Sequence, residues 1–204
     1  MISIDPASQS ERDNYKFMIG SIFPRPIAWV TTTTPTGTVN AAPFSYFNIV
    51  TSNPPMISVS VQRRNGAMKD TARNAADLGE FVVHIADKRN VEKLNQTAAN
   101  LGPEESEVEA AGLTTVRSEV VRVPGLSEAA IRMECVLERL ISLGGTNEQP
   151  ACDLLIGRIV RFHVEEDIYD KSGHIEALKL QPVSRLAGNN YALLGETFDL
   201  ERPL

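Results

Sequence analysis

The densest run of chemically useful side chains is Asn40-Ala41-Ala42-Pro43-Phe44-Ser45-Tyr46-Phe47-Asn48, where small residues and a proline precede alternating aromatic and polar ones. Small residues let backbone approach a ligand closely, and aromatics beside amides suit a flat ligand with donors and acceptors along one edge. An ordinary strand end with a proline bend has the same composition. Lys69-Asp70-Thr71 stands where a helix is expected to begin. Free backbone N–H groups and the helix dipole favour an anion there, to which a lysine and a hydroxyl add. A helix start that binds nothing looks the same. Near the end, Pro182-Val183-Ser184-Arg185-Leu186-Ala187-Gly188-Asn189-Asn190-Tyr191 combines a cation, small residues and an aromatic, able to complete a site or simply to pin the C-terminal segment.

Other chemistries find little support. Gly144-Gly145-Thr146 fits neither phosphate-loop pattern and reads as a hairpin turn; without a dinucleotide fingerprint, any NAD(P)H would dock transiently. His84, His163 and His174 are too scattered for a triad or metal site, and His163 reads as a polar residue at a strand rim. Ser21, Ser45 and Ser60 lack a nucleophile-elbow context. Cys135 and Cys152 stand alone, which points to reduced thiols rather than zinc or a disulfide framework. With 20 basic against 26 acidic residues, a net charge of -6 and no basic run, the chain carries no footprint for nucleic acid. It shows neither a signal-like N-terminus nor the roughly 18 uninterrupted apolar residues of a membrane helix, so a cytoplasmic location is expected.

These residues need elements to hold them. Pro26–Thr32 is β-branched and aromatic and ends at Pro35-Thr36-Gly37, predicting a strand and turn with Thr38–Ala42 returning beside it. Met56–Val61, Phe81–Ala86, Ala130–Leu140 and Leu154–Val164 are further strand candidates. Thr51-Ser52-Asn53-Pro54-Pro55 reads as a connecting turn. Short helices are expected at Asp70–Asp77, with Asp70 or Thr71 as N-cap, and at Asn90–Leu101, stopped by Gly102-Pro103. Pro103–Gly112 is acidic and expected to be a mobile surface excursion. At 204 residues and 42% apolar content, with no linker or repeat, one domain over 1–204 is expected. Many strands and few short helices predict a mainly β chain closed into a barrel, since closure removes exposed edges.

Taken in order, Gly20 through Thr32, Gly37, Asn40 through Asn48, Asn53-Pro54-Pro55, Lys69-Asp70-Thr71 and Arg185-Leu186-Ala187-Gly188 resemble the flavin reductase-like family of FMN-binding split-barrel proteins, across nearly the whole chain. The resemblance implies a Greek-key split β-barrel, a homodimer, and non-covalent FMN in a groove at the subunit interface. Arg25 and Asn40 fall within the matched stretch. Ala41, Ala42 and Pro43 would line the ring edge, and Ser45, Tyr46, Phe47 and Asn48 would follow the ring and ribityl chain. Ser60, Arg63, Lys69, Asp70 and Thr71 would hold the phosphate end, and Arg185 lies in the last matched segment. Many nicotinamide-using members carry an Asp-His pair before the glycine of the late strand, whereas this chain has Cys152-Asp153 before Leu154-Leu155-Ile156-Gly157. The implied activity is FMN-dependent oxidation of NAD(P)H, with electrons passed to flavin, ferric complexes or a monooxygenase partner. The rival expectations are a flavin-binding electron carrier without turnover of its own and a barrel with no cofactor.

Overall fold

The computed structural model describes residues 1–99, 101–102, 105–146 and 148–203. In chain order its strands are β1 (Arg25–Pro26), β2 (Ala28–Thr33), β3 (Val39–Phe44), β4 (Phe47–Ser52), β5 (Pro55–Gln62), β6 (Glu80–Ile85), β7 (Thr115–Val116), β8 (Gly125–Leu126), β9 (Ile131–Leu143), β10 (Cys152–Val164), β11 (Ser184–Arg185) and β12 (Tyr191–Ala192). The helices are α1 (Glu11–Ser21), α2 (Asp70–Leu78), α3 (Val91–Gln96), α4 (Glu107–Ala110) and α5 (Ala177–Leu180).

Seven strands form one antiparallel sheet in the order β3-β2-β6-β9-β10-β5-β4. Its two edges, β3 and β4, are consecutive in sequence and joined only by Ser45 and Tyr46. A flat seven-stranded sheet would hold its edges about 29 Å apart at ~4.8 Å per strand, whereas three Cα steps reach about 10 Å. The sheet therefore has to curl into a barrel. Ser60 N–H, on β5, donates to Tyr46 O at 2.8 Å, carrying the β4–β5 pairing into the connector between the two edges. After β5 the chain crosses through α2 to lay β6 beside β2, a Greek-key return.

Alternation along the strands fills the barrel: Val30, Phe44, Ile57, Val59, Val61, Phe81, Val83, Cys135, Leu155 and Ile159 pack together, with Ala72 and Ala75 of α2 against them. The opposite faces are buried too. Trp29 packs outside the barrel with Leu94, Val108, Leu126 and Val183, and its indole N–H donates to Thr97 Oγ1 at 2.9 Å. Beside it, His84 Nδ1 lies 2.8 Å from Trp29 O and Nε2 accepts from Leu126 N–H at 2.8 Å. Those contacts require the neutral ring protonated on Nδ1, and burial, the main cause, lowers its pKa to about 4.

Several expectations are corrected. The helix expected over Asn90–Leu101 ends at Gln96, where the Thr97 hydroxyl turns back onto Leu94 O at 2.7 Å; Asn100 lies outside the described residues. Pro103–Gly112 is not a mobile excursion where it is described: Glu107–Ala110 is helical, with Glu107 and Val108 buried, while Pro103 and Glu104 lie outside the described residues. Thr51 and Ser52 belong to a strand rather than a turn. The cap of α2 is Lys69, not Asp70 or Thr71, because the Asp70 carboxylate is held by Arg73 and the Thr71 hydroxyl by Asn40. Among the described residues no helix is long and apolar enough to cross a membrane.

Candidate functional site

The β3–β4 seam, α1, the start of α2 and the β11 segment border one groove of connected lobes. One lobe, of about 240 Å³, is lined by Asn40, Ala42, Pro43, Lys69, Asp70 and Thr71, together with Arg64 and Glu107. The next shares Pro43 and Lys69 and adds Tyr15, Arg25, Ser45, Tyr46, Ser60 and Arg185. A third, of about 390 Å³, continues past Arg25, Ser45 and Tyr46 to Phe47 and Asn48. Of the residues expected at the site, Ala41 and Arg63 line none of these lobes. Ala41 is fully buried under α4. Arg63 donates from Nε and Nη2 to the two carboxylate oxygens of buried Asp153, at 2.8 and 2.7 Å.

The Lys69 end has the donors and charge to accept an anion. The first turn of α2 has no side-chain cap, so its N–H groups stay open. Lys69 and Arg64 have no ion-pair partner among the described residues. Desolvation in the groove, then the nearby Arg64, lower the Lys69 pKa, which is what a cation lacking a counter-charge shows. Behind them Thr71 Oγ1 donates to Asn40 Oδ1 at 3.1 Å, and Asn40 Nδ2 donates to Glu107 Oε2 at 2.9 Å. Burial, with Asp70 nearby adding to it, raises the Glu107 carboxyl against these donors. The network fixes β3 against α2 and α4 and so sets the width of the lobe.

At the other end Arg25, 7% exposed, donates to Ile19 O at 3.0 Å, Ile22 O at 2.5 Å and Leu186 O at 2.9 Å. It thereby ties the end of α1 to the segment after β11. Its Nε is buried without a partner. Arg185 donates to Gly188 O and stacks on Tyr191, 4.5 Å from the ring centre. Burial, with Tyr15 close by, raises the Tyr46 phenol, opposed by Arg25. Open helix N–H groups with two unpaired cations at one end, and a flat Pro43–Asn48 wall with an orphaned buried donor at the other, fit an FMN-sized ligand.

Sequence reasoning missed α1, which supplies Tyr15 and Ile19 to the groove. The signal was present in Ser10-Glu11-Arg12-Asp13, a capping box in which Ser10 Oγ accepts from Asp13 N–H. Arg64 and Glu107 were also missed, and only three-dimensional placement brings them to Lys69. His163 is no acid or base of the groove; its Nε2 meets Glu134 Oε1 at 2.6 Å.

The model of a family described as flavin reductase like domain matches residues 19–179. An uncharacterized Halalkalibacterium halodurans protein is 53% identical over 203 residues, 99% of this chain and 97% of its own. Nitrilotriacetate monooxygenase component B from Bacillus cereus has the same fold with a TM-score of 0.96 and 64% identity, over 98% of each chain. Pseudomonas fluorescens 2-nitrobenzoate 2-nitroreductase NbaA gives 0.88 at 30% identity, over 99% of this chain and 96% of that one.

Proposed function

Since the chain belongs to the flavin reductase-like domain family, we propose that it is an FMN-dependent oxidoreductase that takes hydride from NADH or NADPH and delivers electrons to a second acceptor. The observation that carries this reading is the uncapped, cation-flanked start of α2 opening into the same groove as the Pro43–Asn48 wall. In that reading Lys69, Arg64 and the open N–H groups of α2 hold the phosphate, while Pro43, Ser45, Tyr46 and Asn48 border the ring and its side chain. FMN, when bound, supplies the hydride-accepting and electron-donating chemistry; the chain positions it and limits water around it. The protein acts as a homodimer whose partner closes the groove. Its acceptor is free flavin, a ferric complex or a monooxygenase partner; the Bacillus cereus relative is named as component B of a monooxygenase.

One observation favours an electron carrier instead. Asp153, where nicotinamide-using members are expected to offer Asp-His, is fully buried, paired with Arg63 and bonded by Ser142 Oγ at 2.9 Å. It therefore has no free group to present to a nicotinamide. Anaerobic stopped-flow mixing of the FMN-loaded protein with NADH or NADPH separates the two. Bleaching of the bound flavin at a rate matching steady-state turnover is expected, and bleaching no faster than that of free FMN would establish the carrier.

A further inference from the structure

The flavin contacts proposed above leave Arg185 and Tyr191 without a task, yet both border a further lobe of the groove, of about 240 Å³. This lobe branches off at Pro43 and Ser45, which it shares with the ring wall, and runs toward α3, where Ile27, Leu94 and Ala98 give it an apolar side. Lys69 does not line it, and among the described residues Arg185 is its only charged one. Arg185 and Tyr191 are cross-strand partners in β11 and β12. The guanidinium is fixed in advance: it donates to Gly188 O and stacks on the Tyr191 ring, 4.5 Å from its centre. The Tyr191 hydroxyl in turn donates to Asn95 Oδ1 on α3 at 3.0 Å. Arg185 makes no ion pair among the described residues. An apolar slot with one cation suits an apolar body bearing one negative charge, and a planar guanidinium matches a carboxylate best. The volume of about 240 Å³ falls below the roughly 300–1,000 Å³ of sites for drug-sized ligands, which suits a single ring rather than a dinucleotide.

We propose that this lobe is a subsite for a single-ring aromatic monocarboxylate, held at its charged end by Arg185 and along its ring by Ile27, Leu94 and Ala98, beside the flavin rather than in its place. It rests on the FMN reading only for that neighbour: Pro43 and Ser45, common to the lobe and the ring wall, would bring the carboxylate's ring to the edge of the flavin. Arg185 also borders the second lobe beside Lys69, so a flavin phosphate seated there is the competing claimant for the same guanidinium.

The test is calorimetric titration of the wild-type protein, flavin-free and FMN-loaded, with benzoate, with its neutral isostere benzamide, and with acetate, which keeps the charge but has no ring. Benzoate is expected to bind the FMN-loaded protein without releasing FMN, about tenfold or more tighter than either control, the scale of one charge-assisted hydrogen bond. Arg185→Gln is expected to lose about tenfold or more of the benzoate affinity and little of the benzamide affinity, and Arg185→Lys to keep part of it. No binding of benzoate, benzamide or acetate binding as tightly as benzoate, or benzoate displacing FMN each overturns the inference on the wild-type protein alone, whether or not the variants fold. A loss of FMN affinity in Arg185→Gln without an equal loss of riboflavin affinity also overturns it, since it would assign the guanidinium to the phosphate. If the wild-type protein binds no flavin, the proposed function falls by itself, and the same three-ligand comparison on the flavin-free protein upholds or overturns the carboxylate subsite.

Discussion

Glu134 shows how a single charged side chain can hold a surface segment to the barrel. Its carboxylate accepts the N–H groups of Glu119, Val120 and Val121 at 2.8, 2.7 and 3.0 Å. Burial alone would raise its pKa, but these donors and His163 outweigh burial and bring it to about 2 from 4.5. The folded state therefore binds fewer protons than the unfolded chain between those values, and the stability from this group is complete above about pH 4.5 and lost as pH falls toward 2. Glu134→Gln is expected to cost about 2–3 kcal/mol at pH 7, since an amide turns N–H groups toward N–H groups. Urea unfolding should show the gap from wild type narrowing below pH 4; a gap constant with pH would contradict the account. This arrangement was not legible in the sequence, because the three donors are backbone atoms more than ten positions away. The Lys69-Asp70-Thr71 motif, by contrast, was legible as a helix start. What could not be read is that Thr71 and Asp70 are engaged elsewhere, leaving Lys69 and an unforeseen Arg64 as the cations.

Elements rich in β-branched and apolar residues were the easiest to read: β2, β5, β6, β9 and β10 lie where such runs predict them, with clear alternation in β5 and β10. The missed elements lack such a pattern. Strand β4 carries Asn48, Thr51 and Ser52 among its apolar residues, and α1 has little amphipathic contrast, burying only Ile19. Within β10, Gly157 has a reason that no pattern shows. A Cβ there would lie 2.3 Å from Cζ of Phe81, which crosses from β6 through the barrel interior. Gly157→Ala is therefore expected to cost about 1–3 kcal/mol through overpacking, lowering Tm by roughly 2–4 °C per kcal/mol for a chain of this size. Combining it with Phe81→Leu should recover part of that loss by making room. A double variant whose losses simply add would rule out this contact as the cause.

At the scale of the whole molecule, β4 and the end of β10 present apolar side chains that this chain alone does not cover: Ile49 is 76% and Phe162 55% exposed, flanking a cleft with Phe47, Met56 and Met133. The proposed homodimer would cover such a surface, and Ile49→Glu is expected to shift sedimentation from dimer toward monomer and to weaken FMN binding if the partner closes the groove. The barrel itself follows from two legible facts, strand-rich sequence and short connections, but the depth of the groove follows from packing. In the proposed function the start of α2 holds the phosphate of a flavin whose ring lies along Pro43–Asn48. Its most direct test is to titrate wild-type protein and Lys69→Ala with FMN and with riboflavin, following the visible spectrum and the quenching of flavin fluorescence. FMN affinity is expected to fall about tenfold or more in Lys69→Ala, ~1.4 kcal/mol or greater, while riboflavin affinity stays nearly unchanged; equal losses for both ligands, or no flavin binding by the wild-type protein, would contradict it.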